Sequence, residues 1–197
     1  MSGIEIRTAS GEALLPYLPS LAELRIEVFA EWPYLYEGDV GYEERYLRHY
    51  AESPGAAVVL ALAGDRVVGA ATCQPMSEAA PAVREAIAAA GLDPARFCYF
   101  GESVLRRPFR GRGIGVRFFA EREAHARALG LTHAAFCAVQ RQADDPRRPP
   151  DYRPLDAFWM RRGYTPRPDI TCRFDWAEPG SGGREIPHTL SFWVRAL

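Results

Sequence analysis

The spacing of apolar residues along the chain predicts an alternation of strands and helices. Runs that are continuously apolar or alternate every second residue are typical of strands, and apolar residues three or four positions apart are typical of helices. We therefore predict strands at residues 4–7, 56–63, 66–76, 98–105, 132–139, 170–176 and 190–197. We predict helices at residues 14–29, 42–50, 77–96, 115–129 and 155–162. This order is typical of an α/β fold built on one sheet.

Length and composition favour a single domain spanning residues 1–197. The chain has 197 residues, of which 48% are hydrophobic. That is enough for one substantial core and too little for two comfortable ones. The alanine-rich segment 77–96 would be a helical insertion ahead of the next strand.

Charge and cysteine usage exclude several kinds of partner. The formal net charge is −1, so no overall field attracts nucleic acid or an anionic membrane. The four cysteines lie far apart with no Cys-x-x-Cys pair, which argues against a zinc site and favours reduced, buried thiols. The first seven residues hold no apolar signal core and no run is long enough to span a membrane, so we expect a cytoplasmic protein.

A glycine-rich segment between a predicted strand and a predicted helix is the most specific motif. It reads Arg-Gly-Arg-Gly-Ile-Gly over residues 110–115, and bare amides at a helix start bind phosphate. The mononucleotide P-loop requires a lysine, and all 24 basic residues here are arginine. The dinucleotide fingerprint requires a third glycine, where this chain has Val116 or Phe118, depending on which glycine starts the count.

The remaining pattern, Arg-x-x-Gly-x-Gly, resembles the acetyl-CoA pyrophosphate loop of the GNAT superfamily of N-acetyltransferases. A glycine-rich turn without a ligand is the alternative. The resemblance covers nearly the whole chain and implies a mixed central sheet of about six or seven strands flanked by helices. It also implies that the parallel strands 98–105 and 132–139 splay apart at the CoA site, with acetyl-CoA as acyl donor and no metal.

The resemblance further implies how CoA is held. The backbone of two strand residues would pair with the pantetheine arm, and the amides of the loop would bind the pyrophosphate. The residues concerned are Val104, Leu105, Arg110, Gly111, Arg112, Gly113, Ile114, Gly115 and Val116. The Arg112 side chain can equally point into solvent.

Glu102 is the candidate general base. An alkylammonium, with a pKa of about 10.4, must lose a proton before it attacks a thioester, so a base near the amine assists the reaction. Strand alternation predicts that Glu102 shares a buried face with Phe100 and Val104, and apolar surroundings strengthen a carboxylate as a base. The family often has a glutamate on this strand. The alternative is a glutamate paired with a nearby arginine.

The chain departs from the family pattern at the position of the general acid. Many relatives have Phe-Tyr-x-x-x-Gly-Phe, whereas residues 158–164 place Trp159 at the tyrosine position. An indole N–H is a donor but not a practical acid. Tyr152 could donate the proton instead, as could a water, or Tyr152 could simply pack against the helix. A thiolate also leaves without help.

The loop after the first helix is the candidate acceptor site. In the family this region covers the acceptor, and aromatic rings beside carboxylates suit a cationic amine. The candidates are Trp32, Tyr34, Tyr36 and Glu37. Alternatively, these rings plug the end of the core. A cluster of arginines after the strand 132–139 would meet the 3′-phosphate of CoA or an anionic acceptor, or would form a solvated loop. Its members are Arg141, Arg147, Arg148 and Arg153.

The function that follows is acetyl (or acyl) transfer from acetyl-CoA to a primary amine of a small molecule, by direct attack with Glu102 as base. A non-catalytic acyl-CoA sensor or interaction module is the second hypothesis, and an acetyltransferase for protein N-termini or lysines is the third. The apolar last strand at residues 190–195 could pair with a second subunit and form a homodimer. The sequence leaves the acceptor and the acyl chain length open.

Overall fold

The computed structural model of the chain describes residues 3–197. Met1 and Ser2, which begin the segment expected to lack a signal core, lie outside the described residues. The strands are β1 (Ile4–Ala9), β2 (Ala57–Ala63), β3 (Arg66–Pro75), β4 (Phe97–Tyr99), β5 (Ser103–Leu105), β6 (His133–Val139), β7 (Thr165–Ala177) and β8 (Glu185–Ala196). The helices are α1 (Leu18–Phe29), α2 (Val40–Glu52), α3 (Pro81–Ala89), α4 (Ile114–Ala128) and α5 (Asp156–Arg161).

One mixed sheet of eight strands forms the centre of the fold. Its order is β1-β2-β3-β4-β6-β8-β7, and β5 pairs with β3 outside this path. The pair β4–β6 is parallel, and the other pairs among residues 3–197 are antiparallel. The predicted α/β class is confirmed. The strand number exceeds the expectation because the predicted strand 98–105 is divided into β4 and β5.

The sheet opens where β4 gives way to β5. β4 follows β6 as far as Tyr99, which lies opposite Ala135, and the Phe100 N–H donates to Ala135 O at 2.8 Å. Beyond this point β5 pairs with β3 alone in the described part of the chain, and residues 136–139 of β6 pair with β8. β5 and the end of β6 therefore diverge, which agrees with the splayed pair that the family resemblance implies.

A buried arginine of α4 stabilises this opening. The Arg122 side chain donates through Nη1 to Glu102 O at 3.2 Å and to Thr72 O at 3.4 Å. Its guanidinium lies over the rings of Phe100 and Phe119, at 4.3 and 4.9 Å from their centroids. Burial lowers the pKa of Arg122, but an arginine remains protonated in proteins. The charge therefore joins β3 to the segment between β4 and β5.

The helices cover both faces of the sheet. Leu24 of α1 and Leu47 of α2 pack with Leu60 of β2 on one face, and Phe118 of α4 packs against Val59 on the other. Within residues 3–197, no helix combines the length and apolar character that crossing a membrane requires.

The helix predicted at residues 14–29 begins later than expected. Residues 11–17 form a 3₁₀ helix that contains Pro16, and α1 starts at Leu18 with Pro19 in its first turn. Proline has no N–H and is tolerated only in the first turn of an α-helix. In a helix from Leu14, Pro16 would lie in the first turn, but Pro19 would be the sixth residue and would lack the N–H that donates to Leu15 O. Pro19 therefore requires the α-helix to begin later.

The helical part of segment 77–96 is shorter than predicted and belongs to the main core. α3 contributes Val83 and Ile87 to a cluster that contains Ile170 and Cys172 of β7. The helix thus covers one face of the β7 end of the sheet. All four cysteines are buried and free.

The expected pairing of the last strand with a second subunit is wrong. β8 lies between β6 and β7, and both of its edges are occupied along most of its length. The outer strands of the sheet are β1 and β7. A homodimer would have to use another surface.

Candidate functional site

The glycine segment forms the junction between β5 and α4. Gly111 and Gly113 have φ values of 75° and 79°, and Gly113 is the N-cap of α4. Backbone with positive φ favours glycine, because a side chain would strain it. The local conformation therefore accounts for these two glycines without reference to a ligand.

The backbone donors of this junction are free for a ligand. Within residues 3–197, no backbone carbonyl accepts from the N–H groups of residues 111–115. The N–H groups on either side are engaged: Arg110 donates to Arg107 O and Val116 to Gly113 O, each at 3.1 Å. Successive free amides at the start of a 15-residue helix form an anion-binding site. The free N–H groups belong to residues 111–115, one residue fewer at each end than the range 110–116 predicted from the sequence.

The two arginines of the motif have different surroundings. Arg110 Nη1 and Nη2 donate to the two carboxylate oxygens of Glu31 at 2.9 and 3.1 Å, and Arg110 Nε donates to Leu105 O at 2.8 Å. Arg112 is exposed, with its guanidinium 5.5 Å from the centroid of the Phe109 ring. Burial opposes ionisation of Glu31, but Arg110 and Arg107 outweigh it and lower its pKa.

The two strand residues expected to contact pantetheine border the opening of the sheet. Val104 is buried and pairs with Ala70, and Leu105 pairs with Gly69. Their other edge faces the gap toward β6, since β5 has no second strand partner in the described region. No strand pairs with this edge in the described region, although Leu105 O accepts from Arg110 Nε at 2.8 Å.

Glu102 lies at the same opening, in a charged environment. Its side chain is 7% exposed and contacts Arg25 of α1 through Oε2. The Arg25 guanidinium also binds Glu43 of α2, which is fully buried. The predicted apolar environment is therefore wrong, and the alternative of a glutamate paired with an arginine is observed.

The strand break explains the error. Phe100 packs on the α4 side of the sheet with Phe119, whereas Val104 packs on the α1–α2 side with Leu24. Alternation does not continue through residues 100–102, so Glu102 shares a face with Val104 and not with Phe100.

Tyrosines of α2 and its preceding loop surround the charged group. Tyr36 Oη donates to Glu43 Oε1 at 2.6 Å, and the Arg25 guanidinium lies 4.4 Å from the centroid of the Tyr46 ring. Tyr46 Oη and Tyr50 Oη are 3.2 Å apart. Burial raises the pKa of Tyr50 well above its usual value, so this hydroxyl stays protonated.

Sequence reasoning missed Arg25 and Glu43. Each is a charged residue at a position of its helix that faces the core, beside Leu24 and Leu47 respectively. A charge on an apolar helix face is the signal that could have identified them, because buried charges require partners.

Substitution of Gly101 by alanine is expected to destabilise the protein by about 1–3 kcal/mol through overpacking. A Cβ atom at Gly101 would lie 2.4 Å from Tyr50 Oη and 2.6 Å from Thr72 Oγ1. Denaturant unfolding measures the loss. Adding the same substitution to Tyr50→Phe should cost less, because the nearer clash is then absent. A Gly101→Ala variant as stable as the parent would contradict this account.

The four aromatic-loop candidates occupy different environments. Tyr34 packs in the core, with ring centroids 4.8 Å from Phe29 and 6.0 Å from Trp176. Glu37 is exposed, and its N–H donates to Ala177 O at 2.9 Å. Tyr34 therefore supports the alternative that the loop plugs the core.

Trp32 lies beside the candidate acid. Its ring contacts Tyr152 edge to face, with centroids 6.1 Å apart, and the Arg141 guanidinium is 5.7 Å from its centroid. Burial, followed by the nearby Asp156, raises the pKa of Tyr152. Trp159, at the family tyrosine position, packs against Phe136 instead.

Two arginines of the cluster after β6 are paired with protein groups. Arg141 contacts Glu178 at 2.5 Å and donates to the carbonyl oxygens of Pro33 and Tyr34. Arg147 binds Asp145 and Glu178. Arg141 thus ties the aromatic loop to the segment after β7, and a contact of this cluster with the 3′-phosphate of CoA stays a prediction.

Comparison with known proteins identifies the family. A model of the Acetyltransferase (GNAT) family matches residues 21–148. No curated protein matches the chain. Among solved structures, a ribosomal-protein-alanine N-acetyltransferase from Brucella melitensis is similar at 18% identity and a TM-score of 0.63, covering 98% of this chain and 99% of that chain.

Two further structures have the same fold. The PaiA N-acetyltransferase from Thermoplasma acidophilum, in complex with coenzyme A, is 13% identical with a TM-score of 0.60, covering 99% of each chain. An acetyltransferase from Thermus thermophilus is 18% identical with a TM-score of 0.56, covering 100% of this chain and 98% of that chain. These identities support the fold alone. Since the family model spans more than half of the sequence, the chain belongs to the GNAT family of acetyltransferases.

Proposed function

We propose that this protein transfers an acetyl group from acetyl-CoA to a primary amine of a small molecule, with Glu102 as general base. The free amides of residues 111–115, next to the opening between β5 and β6, carry the proposal. Residues 111–113 are exposed, so their free N–H groups can bind an anion that enters from solvent. The unpaired edge of β5 can bind a ligand that carries amides. We expect pantetheine to pair with the edge of β5 and the diphosphate to bind the amides of residues 111–115.

Glu102 accounts for the chemistry at the end of the opening. Arg25 contacts its Oε2, and Oε1 forms no hydrogen bond with residues 3–197. Oε1 takes a proton from the ammonium, directly or through a water. The amine nitrogen then forms a bond to the thioester carbonyl carbon and gives up its second proton to water as the C–S bond breaks. The thiolate takes a proton from Tyr152, which water reprotonates, or from water directly.

The charge near the site favours a cationic acceptor. Glu43 and Glu102 share a single guanidinium, and Trp32 and Tyr36 lie in the adjoining loop. An amine entering as an ammonium would be attracted to the excess negative charge and to aromatic faces. The tie between Arg141 and the loop carbonyls encloses this side, which favours a small molecule over a protein chain.

A thiol-release assay with acetyl-CoA and a panel of amines tests the proposal, together with calorimetry of CoA binding. We expect binding heat and release with small primary amines. Binding without release for any amine would favour the acyl-CoA sensor, for which Trp159 in place of a tyrosine is the supporting feature. Release with peptides alone would favour protein acetylation. No heat at millimolar CoA would overturn all three. The same assay with longer acyl-CoA donors tests the acyl length.

Tyr152→Phe is expected to lower kcat about tenfold at neutral pH, a smaller factor than most acid catalysis because a thiolate leaves readily. The KM for acetyl-CoA should not change. Tyr17→Phe is the control, because Tyr17 binds Arg7 away from the opening. An unchanged kcat in Tyr152→Phe would assign the proton to water.

Two other expectations remain predictions. One is a cytoplasmic location, and the other is a homodimer, for which the last strand no longer provides the surface. Analytical ultracentrifugation of the purified protein tests the second.

A further inference from the structure

The charged group at the opening contains one positive and two negative side chains. Arg25 Nε binds Glu43 Oε2, and Arg25 Nη1 contacts Glu102 Oε2. The side chains of Arg25, Glu43 and Glu102 are 10%, 0% and 7% exposed. Two buried carboxylates therefore compete for one guanidinium.

We propose that Arg25 and Glu43 are opposing positioning residues for Glu102: Arg25 holds the Glu102 carboxylate ionised and oriented, and Glu43 weakens that hold. This inference rests on the proposed function, because it concerns the base of that reaction. Neither residue needs to touch the amine.

Arg25 is held in place independently of Glu102. Its guanidinium lies between the rings of Tyr46 and Phe29, 4.4 and 5.0 Å from their centroids. Aromatic faces attract a guanidinium, and the ion pair with Glu43 orients it further. Removal of the Glu102 charge would therefore leave Arg25 paired.

The other groups packed around Glu102 are neutral or act on its backbone. Thr72 Oγ1 accepts from the Glu102 N–H at 3.1 Å, and Arg122 donates to the Glu102 carbonyl. Burial raises the pKa of Tyr36 and of Tyr50 above the usual value, so these two hydroxyl groups stay neutral. The Tyr46 hydroxyl lies 3.2 Å from that of Tyr50.

The arrangement predicts opposite effects for the two positioning residues. Without Arg25, the buried Glu102 carboxylate loses its counter-charge, and its neutral form persists to higher pH. Without the Glu43 charge, Arg25 neutralises Glu102 alone, and the repulsion between the two carboxylates is lost. The ionised form of Glu102 then persists to lower pH. Damage to the fold would lower activity in both variants without moving the pH dependence in opposite directions.

The test is the pH dependence of kcat at saturating substrates, which reports groups in the enzyme–substrate complex. We expect the acidic limb to move up by about one pH unit in Arg25→Gln and down by about one in Glu43→Gln. Arg195→Gln is the matched control, since it breaks an ion pair with Glu123 of 2.7 Å away from the opening. The acidic limb of its kcat–pH profile should coincide with that of the parent protein.

The outcomes separate this inference from the proposed function. The inference would be overturned if the acidic limbs of the two variants do not move, or move in the same direction. Thiol release by the parent protein would in that case still support the proposed function. CoA binding without thiol release by the parent would overturn both. If Arg25→Gln does not fold, Glu43→Gln must still show the downward shift, and Arg25→Lys, which keeps the charge, must move the limb less than one unit.

Discussion

Gly113→Ala is expected to weaken CoA binding by roughly 10- to 100-fold. The substitution adds a Cβ to the start of α4, where the amides of residues 111–115 are free. No atom of residues 3–197 beyond Gly113 and its two chain neighbours lies within 4 Å of that Cβ, so the methyl group would point into the space that a diphosphate must enter. Loss of one hydrogen bond to a charged group costs about 1.5–3 kcal/mol, and about 1.4 kcal/mol corresponds to a tenfold change in affinity.

Gly91→Ala provides a matched control. Gly91 follows α3 with a φ of 75°, close to the 79° of Gly113, and a Cβ added there would also have nothing within 4 Å. Both substitutions should lower stability by a similar amount, about 1–2 kcal/mol for alanine in the left-handed region. Calorimetry should show weaker binding of CoA to Gly113→Ala than to Gly91→Ala. Equal affinities in the two variants would mean that residues 111–115 do not hold the diphosphate.

Glu102→Gln is expected to lower kcat by about 10²- to 10⁴-fold at neutral pH, the usual contribution of a general base. The deficit should shrink as the pH approaches about 10, where much of the amine is already unprotonated. Glutamine keeps the size of the side chain and its oxygen but cannot accept the proton. The measurement is thiol release over this pH range with one amine.

The matching control is Glu123→Gln. Glu123 is another buried glutamate in an ion pair, and its side chain contacts Arg195 and Tyr164 rather than Glu102 or Arg25. Its substitution should leave the pH dependence unaltered. Glu102→Gln should also fold normally, because Arg25 retains Glu43 as its partner. Turnover equal to that of the parent at every pH would remove Glu102 from the mechanism.

The glycine loop could be predicted from sequence because its conformation is local. Alternating glycines permit positive φ, and the adjoining strand and helix were evident from apolar spacing. Residues 111 and 113 have that backbone, and α4 begins at Ile114, one residue from the predicted start. The extent of the free amide run depended on the hydrogen bonds of Arg110 and Val116, which spacing alone does not reveal.

The surroundings of Glu102 could not be predicted in the same way. Alternation assumes an unbroken strand, and the strand is interrupted at residues 100–102, where Gly101 lies under Tyr50 and Arg122 binds the Glu102 carbonyl. Both partners are distant in sequence. The position of β8 between β6 and β7 was missed for the same reason, because an apolar strand looks alike at an edge and in the centre of a sheet.

The α/β class, the strand–loop–helix junction and the family resemblance could be predicted from the sequence, since these depend on residues close together in the chain. The contacts of Arg25 with Glu43 and Glu102, the pairing of Arg110 with Glu31 and the packing of Tyr34 in the core became evident only from the folded structure. Each of these contacts joins separate elements whose approach depends on packing over the whole sheet. A buried charge reveals in the sequence that it needs a partner, but the fold selects which partner it has.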